Sequence, residues 1–111
     1  MPSKFQKWAR KVFDKYGERC IFCMKDSGSP HHFFPRGQYP DLAWVVENGV
    51  PICQHHHDLI EHGGKKPKKY YRKQVVIKRG IEWYENLRIS LPEYKRPPKE
   101  FYKENGKIKT I

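Results

Sequence analysis

CIFCMKDSGSPHHFFPRGQYPDLAWVVENGVPICQHHHDLIEH, residues 20–62, holds all three cysteines and all six histidines of the chain. They run in order as a Cys-x2-Cys pair (Cys20, Cys23), a His-His doublet (His31, His32), Asn48, and a Cys-x2-His-His cluster (Cys53, His56, His57). Such confinement of thiol and imidazole groups marks a site instead of a bias in composition. The order supplies ligands for two metal sites.

The first set is legible from spacing alone. Cys20, Cys23, Cys53 and His56 form C-x2-C…C-x2-H, one short-spaced pair per knuckle, which is what a tetrahedral Zn2+ takes. His56 is chosen over His55 by the x2 spacing. In a chain of 111 residues the core is modest, and a structural metal can supply much of the folding energy. Three cysteines are an odd number, so metal-bound thiolates in a reducing compartment are expected, not a disulfide framework.

Working outward, 23 Lys+Arg against 12 Asp+Glu leave a formal charge of +11, which favours a polyanionic partner. Mean hydropathy is −0.94. No apolar stretch reaches bilayer length and no secretory signal is visible, so a soluble, intracellular, cytoplasmic protein without a membrane partner is expected.

Residues 3–16 read as an amphipathic helix with Phe5, Trp8, Ala9, Val12, Phe13 and Tyr16 on one stripe, Ser3 as cap and Gly17 as stop. Strands are expected at 31–34 and 50–53, with a helical turn within 41–47 between them and a helix over about 54–61. Residues 65–79 carry eight Lys/Arg and no acid and read as a basic helix with Pro67 in its first turn. Gly80 breaks it, a short helix follows, and Pro92 closes that one. Residues 92–100 read as a Pro/Lys-rich linker. Asn105-Gly106 signals a hairpin, with a frayed end as the equal alternative. The organisation is thus 1–17, an N-terminal helix; 18–64, a core with zinc knuckles; 65–91, a basic helical extension; and 92–111, a tail. The fold class is α+β.

PHHFFPRG (30–37), Asn48 in ENGVPIC (47–53) and His57 in CQHHHDLIEH (53–62) resemble the HNH endonucleases of ββα-metal fold. The resemblance covers roughly residues 18–64. It implies that His31 binds a catalytic metal, that His32 is the general base, that Asn48 fixes the strand–strand loop and so orients His32, and that His57 is a second metal ligand. A third ligand falls to Glu61 or His62. Glu61 shares the helical face of His57 and is favoured. Adjacent strand residues point to opposite faces, so His31 and His32 can share one site only at an irregular strand end. The implied ions are structural Zn2+ and catalytic Mg2+, Mn2+ or another divalent ion.

YYRKQVVIKRGIEWYENLRIS (70–90) is loosely similar to the segment that follows this core in phage recombination endonucleases of the NinG/Rap type, which cut branched intermediates. That likeness implies a phage protein in the host cytoplasm and carries no residue roles. The expected function is hydrolysis of DNA, with RNA as the other substrate and a non-catalytic zinc-stabilised nucleic-acid-binding module as the alternative. Arg36 in the 35–40 loop, with Lys65, Lys66, Lys68, Lys69, Arg72 and Lys73 on the basic helix, is expected to contact nucleic acid. Monomer and homodimer are both left open.

Overall fold

A capping box starts the first helix, α1 (Lys4–Tyr16). The Ser3 hydroxyl accepts from the Gln6 amide while the Gln6 side chain accepts from the Ser3 amide, satisfying two donors that the helix itself leaves free. Gly17, at φ 87°, ends it. Trp8 and Val12 from its apolar stripe are buried, and they press so closely on Gly49 that a Cβ there would overlap the Val12 side chain.

The structure, a computed structural model, describes residues 1–111: four α-helices and two small antiparallel sheets in a mixed α+β arrangement. β1 (Ser29–His32) pairs with β2 (Gly49–Ile52), placing His31 opposite Val50 and His32 opposite Gly49. Both strands sit one or two residues earlier than the sequence suggests. Phe33 and Phe34 leave the ladder because Asn48 takes their amides: Phe33 donates to the Asn48 carbonyl (2.9 Å) and Phe34 to its Oδ1 (2.8 Å). Cys53 in turn becomes the cap residue of α2 (Gln54–His62). The turn expected within 41–47 is replaced by two 3-10 turns, Pro40–Leu42 and Val46–Asn48.

α3 (Lys65–Arg79) and α4 (Ile81–Ile89) are separated at Gly80, whose φ of 98° only glycine adopts without cost. The segment read as a linker is packed down. Pro97 is buried, its carbonyl accepts from Arg88 (3.3 Å), and the Glu100 amide donates to the Tyr84 hydroxyl (2.7 Å). Of the two endings weighed for the chain, the hairpin forms. β3 (Phe101–Glu104) pairs with β4 (Lys107–Thr110), and Asn105 (φ 52°) and Gly106 (φ 76°) make the turn with two positive φ values that matches strand twist. Phe101 is fully buried against Tyr84, with ring centroids 5.4 Å apart.

Phe33, Phe34, Leu42, Val76, Tyr84 and Phe101 belong to one core, so the two residues after the His-His doublet are anchored by the C-terminal half of the chain. No helix is long and apolar enough to cross a membrane.

Candidate metal centres

The knuckle that carries Cys20 and Cys23 is shaped by its own backbone. The Met24 amide donates to the Cys20 carbonyl (2.9 Å), the Cys20 amide to the Lys25 carbonyl (2.7 Å), and Met24 takes a left-handed φ of 64° to close the turn. The Ile21 amide donates to the Pro51 carbonyl (2.9 Å), which fastens the knuckle to β2 just before Cys53. Cys53 and His56 then lie at the start of α2, one turn apart. The donor atoms of Cys20, Cys23, Cys53 and His56 all lie within 4.8 Å of one another. Cys53 Sγ is 3.2 Å and Cys20 Sγ 3.6 Å from His56 Nδ1, and Cys23 Sγ is 3.6 Å from Cys53 Sγ. These four residues can hold a metal ion, and a closed set of three thiols and an imidazole has the softness Zn2+ takes.

Two of the three thiols are held low and the third is held high. Burial pushes Cys20 up, but the amides of Cys53, Phe22 and Cys23 outweigh it and hold the thiol below its ordinary value. Cys53 also ends low: burial raises it, and the backbone and side chain of His56 lower it further. Cys23 moves the other way. The Lys25 amide lowers it, but burial and the thiols of Cys53 and Cys20 prevail. Three thiolates in one place repel, and a divalent cation removes that conflict. His56 is walled by Phe22 and Tyr71, each with ring centroid 5.2 Å away, so α3 closes over the knuckle through Tyr71. His55, the spare histidine, is exposed.

A second cluster forms where β1 meets α2. Donor atoms of His31, His57 and Glu61 lie within 4.8 Å of one another. His31 Nδ1 is 3.6 Å from Glu61 Oε1, and the rings of His31 and His57 are 5.5 Å apart and nearly perpendicular. His57 and Glu61 are four residues apart on α2 and so share a face. His62 does not join; it is exposed at the helix end. Burial, followed by the charges of His57 and Arg72, pushes His31 down to about 3, so its imidazole is neutral and free to ligate. His57 Nδ1 is buried with no hydrogen-bond partner in the protein. That nitrogen lies 4.0 Å from Asp58 Oδ1, and the set of two imidazoles and a carboxylate fits a divalent cation.

His31 and His32 do point to opposite sides of β1, as strand geometry requires. His31 faces α2, whereas His32 lies flat on the Trp8 indole of α1, centroids 4.1 Å apart and planes within 10°. Both nonetheless line one cleft of about 580 Å3 at the strand end, along with His57, Glu61, Arg36 and Lys68. His32 Nε2 is 2.9 Å from the Ala43 carbonyl. A carbonyl only accepts, so Nε2 carries the proton and Nδ1 keeps the lone pair. Burial holds His32 below its ordinary value, opposed by the Ala43 carbonyl and aided by Arg36, which favours the neutral ring.

Asn48 is fully buried, with both N–H donors and the oxygen of its side-chain amide bonded. Oδ1 accepts from the Phe34 amide, and Nδ2 donates to the carbonyls of Phe34 (3.0 Å) and Leu42 (3.1 Å). It ties both ends of the loop that carries Ala43.

The basic side chains divide. Arg72 is a brace: it pairs with both carboxylate oxygens of Glu100 (2.8 Å each), donates to the Phe33 carbonyl and stacks 4.0 Å over the Phe33 ring. Three of its five N–H donors are thus engaged within the protein, and it borders the cleft. Arg36 lies over the Trp44 ring at 4.7 Å. Lys65, Lys68 and Lys69 line a neighbouring groove; Lys66 and Lys73 line neither cavity. Trp8, Ala43, Tyr71 and Glu100 are the contributors that motif reading misses. Each reaches the sites only by packing, and no spacing in the chain ties any of them to the clusters.

Fold and sites define a mixed α+β protein with a Cys3His cluster able to hold a metal ion and a second, His-His-Glu cluster in a basic cleft. No protein-family model, curated protein or solved structure matches the chain.

Proposed function

We propose that the chain is a metal-dependent endonuclease with an HNH-type, ββα-metal core that hydrolyses DNA phosphodiester bonds to 5′-phosphate and 3′-hydroxyl ends. The observation that carries this reading is the meeting of His31, His57 and Glu61 in the same cleft as His32, whose Nε2 is bound to the Ala43 carbonyl. Cys20, Cys23, Cys53 and His56 would hold structural Zn2+. His31, His57 and Glu61 would hold Mg2+ or Mn2+. That ion supplies a Lewis acid that neutralises charge on the phosphate and on the departing 3′ oxygen.

The chain's own groups do the rest. His32 Nδ1 takes a proton from the attacking water, and a neutral imidazole is the right base near neutral pH. The Ala43 carbonyl holds the Nε2 proton and stabilises the imidazolium that results. Asn48 keeps that carbonyl in place through its neighbour Leu42. The P–O3′ bond breaks as the water oxygen joins phosphorus, and the 3′ oxyanion is protonated from solvent. Arg36 and Lys68 at the cleft and a net charge of +11 suit a polyanionic strand.

The test compares wild type and His32→Ala, both zinc-loaded, on supercoiled, linear, single-stranded and branched DNA and on RNA, with Mg2+, Mn2+, Ni2+ or Zn2+. The expected result is DNA cleavage by wild type and a loss of roughly 10²–10⁴-fold in the variant, with zinc content and DNA affinity retained. No cleavage of any substrate by wild type would leave a zinc-stabilised nucleic-acid-binding module. Cleavage of RNA alone would move the substrate class.

A further inference from the structure

A second groove, of about 460 Å3, runs from the catalytic cleft along the start of α3 to the packed-down segment before β3. The two cavities meet at Pro35, Gln38, Lys68 and Arg72, which border both. Its floor is apolar: Phe34, Tyr39 and Pro97, with Tyr39 half-buried and edge-on to Phe34 at 5.8 Å. Its rim is cationic: Lys65, Lys68, Lys69 and Lys99. None of these four lysines is in an ion pair, and the acidic side chain at the rim, Glu100, is spent on Arg72. No side chain pairs with these lysines, while the floor offers aromatic and apolar surface that phosphate alone does not use.

We propose that this groove is a subsite for one unpaired nucleotide of a DNA strand, the base on the Tyr39–Pro97 floor and its flanking phosphates on the lysine rim. A base-paired nucleotide cannot present its base to a floor in a groove, so the subsite selects single-stranded or frayed DNA next to the scissile bond. A duplex would meet only the rim. Arg72 holds the groove's shape by bridging Phe33 to Glu100, so the groove and the cleft share one wall. The role as part of a substrate track rests on the nuclease reading; the binding itself does not.

Binding is therefore measured apart from cleavage, by fluorescence anisotropy of zinc-loaded protein without added Mg2+ or Mn2+. The probes are a short oligothymidylate, the same oligonucleotide with single abasic positions, and a blunt duplex of equal length. We expect the single strand to bind more tightly than the duplex, and one abasic position to weaken binding by roughly tenfold, the range of base–aromatic stacking. A Lys65→Ala/Lys69→Ala/Lys99→Ala protein should lose single-strand affinity, its log–log salt slope falling by roughly 0.7 for each contact removed. Tyr39→Leu should erase the abasic effect while leaving the slope unchanged, and its Tm checks folding. Equal affinity for duplex and single strand, an abasic scan without effect, or an unchanged slope in the triple variant would each overturn the subsite. Cleavage by wild type alongside such a result sinks the subsite alone. Loss of binding in the variant without cleavage by wild type sinks the nuclease alone.

Discussion

The indole of Trp8 and the imidazole of His32 are stacked in parallel, 4.1 Å apart, although 24 residues separate them in the chain. Trp8 Nε1 donates to the Val45 carbonyl (2.8 Å), so the same side chain grips the loop that carries Ala43, the partner of His32. α1 thereby backs His32 through Trp8 and borders the cleft through Phe5. Trp8→Phe and Trp8→Leu both lose the Val45 bond, about 1 kcal/mol, but only the phenylalanine keeps a ring over His32. We expect Trp8→Phe to retain kcat near wild type. Trp8→Leu should lower it on the order of tenfold to a hundredfold with KM little changed, the cost of a misplaced base. Steady-state cleavage kinetics decide; equal kcat in the two variants would remove the stack from catalysis.

Asn48 satisfies the Phe34 amide and the carbonyls of Phe34 and Leu42 from one fully buried side chain. Asn48→Ala leaves these groups unpaired, at about 1–3 kcal/mol for each buried one. Urea unfolding should show at least about 3 kcal/mol lost. Asn48→Asp should do no better, because a carboxylate cannot donate to either carbonyl.

The triple histidine makes a sharp prediction about zinc. His56 lies against Cys20 and Cys53, and His55 is exposed. Elemental analysis should find one zinc per chain in wild type and in His55→Ala, and a marked loss in His56→Ala. Chelation of that zinc should unfold the knuckles, since structural zinc in peptide models contributes roughly 10–16 kcal/mol. Retention of zinc by His56→Ala would break the ligand assignment.

Glu61 and His62 are separable in the same manner. Only Glu61 lies with His31 and His57. Mn2+ binding followed by electron paramagnetic resonance should weaken in Glu61→Gln by at least the roughly 10–100-fold that even an outer-shell partner costs. His62→Ala should bind Mn2+ like wild type. The reverse result would place the third donor at the helix end.

Motif spacing went far on the Cys3His set because its pairs are local. Cys20 with Cys23, and Cys53 with His56, are each held by a single turn of backbone, so spacing is nearly geometry. The Ser3 cap of α1 was legible for the same reason, whereas the Asn105-Gly106 hairpin stood level with a frayed end until the structure paired its strands. The strand limits were not. Asn48 competes with the ladder for the amides of Phe33 and Phe34, and that competition exists only once the loop has closed. Arg72, expected to contact nucleic acid, also pairs with Glu100, 28 residues on, a contact that no spacing in the chain announces.

By itself the sequence determined the Cys3His cluster, the charge, the Ser3 cap, and the order of strand, loop, strand and helix, all set by short-range backbone geometry and composition. The tertiary structure alone decided that Glu61 and not His62 faces His31, that Trp8 backs His32, that Tyr71 walls His56, and that the 92–100 segment forms one side of a groove. These depend on how helices and hairpin pack across the core, where the energy comes from burial summed over many residues and leaves no spacing in the chain to read.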